Sequence, residues 1–153
     1  MSGLVISLKA GEKFLVNGAL LVNGDKRTQI SVPDDDVYVL RVSDALHPDD
    51  VNTPVRRVYY GVQLILSGDN RSEASRNIVK EGLDALATVF AGTAMSKSLE
   101  KAQNSFAQGR YYSVLYALKS LLGIEEQLLQ YAAKPQVESY KAPMAPVEMA
   151  ASA

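Results

Sequence analysis

Arg56 and Arg57 follow Thr53-Pro54 by three and four residues, and Tyr60 lies one helical turn beyond Arg56. A threonine followed by proline starts a helix well, because the hydroxyl can cap a free amide and proline needs no N–H at the first position. Two guanidinium groups at such a terminus could complete a phosphate site, with a tyrosine placed to stack an unpaired base. Lys13, Lys26, Arg27 and Arg41 add cations from the N-terminal third of the chain. The same residues also suit an internal role, in which Arg56 and Arg57 pair with Asp34, Asp35, Asp49 or Asp50 and dock a helix on a sheet. Residue types alone favour docking. A helix dipole disfavours cations at its N-terminus, so two arginines there call for an anion, whether loop carboxylate or phosphate.

Other chemistry finds little support. His47 is the only histidine, it stands beside Pro48, and there is no cysteine to act as a nucleophile or thiolate ligand. Asp34-Asp35-Asp36 lacks the alternating ligand spacing of a calcium loop. Neither GxGxxG nor GxxxxGK[ST] occurs. Glu125 and Glu126 are adjacent on a helix and point to different faces, which suits solvent or a local ion pair better than acid–base work. The sequence therefore predicts no enzyme, no metal and no cofactor. The net charge is −1 over 153 residues, so any nucleic-acid site must be a local patch. No apolar run reaches the ~20 residues needed to cross a bilayer. The first residues lack a signal peptide's basic region and cleavage site, and the expectation is a soluble cytoplasmic protein.

The elements that must position these residues centre on Glu12 to Val32. Asn17-Gly18 and Asn23-Gly24 separate three short apolar runs, and Asn-Gly is the preferred pair for a two-residue hairpin turn. This predicts a three-stranded meander. Its first turn sets Val16 against Ala19, Leu15 against Leu20, Phe14 against Leu21 and Lys13 against Val22. A second tight turn sets Val22 against Asp25 and Leu20 against Arg27. Alternation then puts Phe14, Val16, Ala19, Leu21, Thr28, Ile30 and Val32 on a core face, with Phe14, Leu21 and Ile30 at its centre. Lys13, Leu15, Leu20, Val22, Arg27 and Gln29 take the other face. Further strands are expected at Gly3 to Leu8 and Val37 to Val42.

Four helices follow, from Thr53 to about Gly68, Ser72 to about Gly92, Ser96 to Gly109, and Tyr111 to about Tyr131, each with apolar residues three and four apart. Strands first and helices afterwards give an α+β fold. It comprises an antiparallel β-meander unit over 1–50, a helical bundle of about four helices over 53–132 packed on it, and a disordered Pro/Ala/Met tail over 134–153.

GEKFLVNGALLVNGDKR, then Leu40-Arg41, TPVRRVYYGVQLIL and GRYYSVLYALKSLLGIEEQLL occur in this order and spacing. Together they resemble the FlbT family of flagellum biosynthesis repressors from about residue 4 to residue 130. The resemblance implies a post-transcriptional regulator that binds the leader of flagellin messenger RNA and lowers its translation and stability. It also implies a second small regulator of the FlaF type as a companion, and leaves oligomeric state and the sign of regulation open. It strengthens an RNA role for Lys13, Arg27, Arg41, Arg56 and Arg57; Lys26 and Tyr60 complete the candidate RNA-binding set. The alternative is a protein-binding module that grips flagellin or a FlaF-type partner, which the near-neutral charge and the leucine-rich fourth helix favour.

Overall fold

The structure is a computed structural model that describes residues 3–34, 36–68 and 72–144, with side chains through residue 131. Five strands precede four helices: β1 (Leu4–Leu8), β2 (Lys13–Val16), β3 (Ala19–Val22), β4 (Thr28–Val32), β5 (Val39–Arg41), α1 (Pro54–Ser67), α2 (Glu73–Val89), α3 (Ser96–Ala107) and α4 (Tyr111–Met144). The α+β class is as the sequence predicts. The strands and the helices as far as Leu121 form one compact unit, and the chain from Leu122 forms a second.

Asn17-Gly18 closes the hairpin in the expected register, with Lys13 opposite Val22, Phe14 opposite Leu21, Leu15 opposite Leu20 and Val16 opposite Ala19. Asn17 (φ 50°) and Gly18 (φ 85°) supply the two positive-φ positions of the turn. The second turn is not there. Among the described residues β3 pairs with β2 alone, and β4 pairs antiparallel with β1, setting Leu8 opposite Thr28 and Leu4 opposite Val32. The arms of the first hairpin simply run on. Asn23 donates its N–H to the Glu12 carbonyl, and Gly11 donates to that of Gly24, both at 2.8 Å. Between these links and the Leu8–Thr28 pair, one arm holds Lys9 and Ala10 while the other holds Asp25, Lys26 and Arg27. One arm thus carries an extra residue, as in a β-bulge, and the long hairpin bends into two sheets, β1-β4 and β3-β2-β5. The Asn23 side chain secures the bend by donating to the carbonyls of Lys9 (2.7 Å) and Lys26 (3.0 Å).

This topology changes the expected core. Ile6, Leu8, Phe14 and Val39 are buried together, with Leu4, Val16, Ile30, Val32, Val37 and Tyr112 packed against them. Leu21 shares a face with Phe14 but is 41 % exposed, and Ala19 and Thr28 are also exposed. β3 is an edge strand that no further strand covers, so its apolar residues face water on both sides.

Capping residues set both ends of α1 and the start of α2. Thr53 Oγ1 accepts from the Arg56 amide and Pro54 occupies the first turn, while Gly68 (φ 89°) ends α1. Val55, Val58, Tyr59, Val62, Ile65 and Leu66 form the buried stripe of α1. Gln63 is the polar residue within this stripe. It is buried, accepting from the Leu46 amide and donating to the Leu46 carbonyl, and so braces the loop before the helix. Ser72 caps α2. The first two helices cross closely, since a Cβ on Gly61 would lie 2.8 Å from Val79 Cγ2 and one on Gly82 equally near Val58 Cγ2. Gly109 (φ 73°) separates α3 from α4. In α4, Tyr111, Val114, Leu115, Ala117, Leu118 and Leu121 are buried. The helix continues to Met144, past the end expected near Tyr131 and through Pro135. Ala132, Ala133 and Lys134 are good helix formers, so local propensity does not stop the helix at Tyr131. The last part of the expected tail, 145–153, lies outside the described residues.

Candidate nucleic-acid interface

The cations singled out in the sequence fall into separate groups. Arg56, Arg57 and Tyr60 share the first two turns of α1. Arg57 is exposed, whereas Arg56 and Tyr60 are half-buried. Arg56 is engaged locally: its Nη1 donates to Asn52 Oδ1 at 3.1 Å and reaches the Asp50 carbonyl at 3.5 Å. It therefore braces the loop through neutral acceptors. Lys13, Lys26 and Arg27 lie exposed along the bent hairpin. Arg41 and Lys13 lie on opposite faces of their sheet. Arg41 stands opposite Phe14 in the β2–β5 register, so it projects from the same face as Phe14 while Lys13 projects from the other.

On that side Arg41 is half-buried and meets β1. Its Nη2 donates to the Ser7 carbonyl, its Nη1 lies 3.6 Å from the Glu12 carboxylate, and its Nε is buried without a hydrogen-bond partner. Arg41 also borders a cleft of about 540 Å³ whose other polar and aromatic walls are Ser7, Lys101, Ser105, Tyr112, Ser113 and Tyr116. Tyr112 and Tyr116 are stacked, with ring centroids 6.3 Å apart and planes 18° from parallel. Tyr112 packs on the strand core, while Tyr116 is 65 % exposed. Burial pushes the Tyr112 hydroxyl above its usual range, and the positive charge of Arg41 opposes this in part. Tyr112 therefore stays protonated at neutral pH and remains a donor.

The sequence reading missed this cleft. Tyr112 and Tyr116 are one helical turn apart beside the apolar stripe of α4, a pattern that marks two aromatics on one face. Lys101 and Arg41 reach them only through the tertiary fold.

Other polar residues serve the fold. Lys119 Nζ lies 2.6 Å from the buried Asp44 carboxylate, and the Tyr59 hydroxyl donates to the Asp44 carbonyl at 2.6 Å. Burial raises the Tyr59 hydroxyl well above its usual range, and the Asp44 charge adds to the effect. His47 Nδ1 accepts from the Asp49 amide and caps a single 3-10 turn, Pro48–Asp50. Glu125 is buried and Glu126 exposed. No group of metal-ligating side chains occurs among the described residues. Among those residues, no helix is long and apolar enough to cross a membrane.

The molecule is thus a small α+β protein that displays basic and tyrosine side chains on strands and helices. It belongs to the FlbT family: the profile described as "Flagellar protein FlbT" matches residues 4–129. Its relatives include proteins named "Probable flagellum biosynthesis repressor protein FlbT" in three bacteria. The Chelativorans sp. protein is 35 % identical over 124 residues, covering 81 % of this chain and 84 % of the relative. The Agrobacterium fabrum protein is 32 % identical over 128 residues, covering 84 % and 85 %. The Caulobacter vibrioides protein is 29 % identical over 126 residues, covering 82 % and 89 %. These names describe regulation rather than a catalysed reaction. No solved structure matches.

Proposed function

We propose that this chain is a post-transcriptional repressor of flagellum biosynthesis that binds the leader of flagellin messenger RNA and lowers its translation and stability. The repressor names of its relatives support the regulatory role. The observation that carries RNA contact is the state of four cations. Lys13, Lys26, Arg27 and Arg57 are exposed and make no ion pair among the described residues. Such charges can bind phosphates without first breaking an internal contact, which suits a protein whose net charge is close to zero.

The test is a gel shift with purified protein and a flagellin leader transcript across a salt series. Each phosphate contact with single-stranded RNA contributes about 0.7 to the log–log salt slope. Arg57→Gln is expected to fold normally, bind more weakly and flatten that slope by nearly one contact. Arg56→Gln is expected to melt earlier by up to about 1 kcal/mol, since it loses loop contacts that are partly exposed. If Arg57→Gln binds with unchanged affinity and slope, the assignment of this residue fails.

A second reading, binding of flagellin or a FlaF-type partner, draws on Leu128, Leu129 and Tyr131 of α4, which are 48 %, 52 % and 72 % exposed. Co-elution of such a partner by a protein that fails to shift the transcript would favour it.

A further inference from the structure

We propose that the cleft between β1, α3 and α4 holds an unpaired base of a single-stranded RNA, stacked on Tyr116, with its phosphate answered by Lys101 and Arg41. The inference rests on the RNA reading above and names the site within the protein.

Tyr116 is mostly exposed and adds little to the core. Its ring lies nearly parallel to that of Tyr112, at 18° with centroids 6.3 Å apart, and Tyr112 is itself packed against the strands. An exposed aromatic plane at the mouth of a cleft is a stacking platform, and bases of any sequence have a face to offer it. A base paired in a duplex cannot reach a ring in this position, so the site selects unpaired nucleotides.

The electrostatics point to an anionic ligand. Among the described residues, the cleft is lined by two cations and by no carboxylate, with the Glu12 carboxylate 3.6 Å from Arg41 outside the lining. Lys101 is exposed and makes no ion pair among the described residues. Arg41 is already shared between Ser7 and Glu12, so Lys101 supplies most of the available charge. Ser7, Ser105 and Ser113 line the cleft with hydroxyls suited to base edges or ribose. A volume of about 540 Å³ lies within the range of small-ligand pockets, ~300–1,000 Å³.

The experiment compares binding of a short oligoadenylate and of the flagellin leader transcript by wild type, Tyr116→Ala, Tyr116→Phe, Lys101→Gln and Tyr131→Ala. Tyr116→Ala should weaken both probes by about 5- to 100-fold with an unchanged salt slope. Tyr116→Phe keeps the ring and should retain binding. Lys101→Gln should flatten the slope by about 0.7. Tyr131, 72 % exposed, is not among the residues that line the cleft, so Tyr131→Ala should bind as wild type. Full binding of both probes by Tyr116→Ala overturns the cleft and leaves the RNA reading standing. Oligoadenylate binding that needs Tyr116, without leader binding, supports the cleft and removes the leader as target. A wild-type protein that binds neither probe overturns both.

Discussion

The same dipeptide does two different things within eight residues of this chain. Asn17-Gly18 reverses it: both residues take positive φ, and the Asn17 side chain accepts from the Tyr38 amide at 2.9 Å, joining the turn to the start of β5. Asn23-Gly24 does not reverse it. Gly24 keeps an ordinary φ, and the Asn23 amide becomes a tie across the bend between two sheets. The difference lies in which strands find partners. Asn-Gly closes a hairpin only when the runs on either side pair with each other. After Asn23-Gly24, the run Thr28–Val32 instead pairs with β1, which places a half-buried Ile30 opposite the buried Ile6 in the core around Phe14. Local turn preference is worth a kcal/mol or so, and a shared core outweighs it.

Paired substitutions can break this comparison. Phe14→Ala should have the largest effect, about 3–5 kcal/mol, because Phe14 is 5 % exposed in the core that both bends serve. An unchanged melting temperature would mean that this core does not hold the sheets. Asn23→Ala comes next, at about 1–2 kcal/mol, through two lost hydrogen bonds to partly solvated carbonyls. Proton exchange at the Gly11 amide, which bonds across the bend, should quicken with it. Gly18→Ala should cost about 1–2 kcal/mol, since its φ is 85° and the new Cβ would lie 3.0 Å from the Ser67 carbonyl. Gly24→Ala should change stability by less than about 0.5 kcal/mol, because nothing lies within 4 Å of the added carbon and φ is not positive. Equal costs at Gly18 and Gly24, read from urea unfolding, would overturn the distinction between turn and bend.

How much of this could be read from sequence follows the range of the interaction. The first hairpin register, the caps at Thr53 and Ser72 and the ends at Gly68 and Gly109 depend on neighbours in the chain, and each was legible. The partner of β4 was not, because Leu4–Leu8 and Ala19–Val22 offer Thr28–Val32 similar apolar edges. Only burial beneath Tyr112 separates them. Arg41 was legible as a cation but not as one turned away from Lys13, because the β2–β5 pairing decides its face. The cleft was the least visible feature. Tyr112 and Tyr116 gave a local sign, whereas Ser7, Arg41, Lys101 and Ser105 come from three other elements.

The ion pair between Asp44 and Lys119 also bears on the order in which the chain can fold as it is made. Its partners are 75 residues apart, so a ribosome adding about 5–20 residues per second needs roughly 4–15 s between them. Until Lys119 has been synthesised, burying the Asp44 carboxylate would leave a charge without its cation, at a cost of several kcal/mol. Tyr112, which packs on the strand core, arrives only slightly earlier. The strands emerge first, but they cannot be sealed until the opening turns of α4 have left the exit tunnel. A chain truncated before α4 should therefore be held open and remain a substrate for proteases.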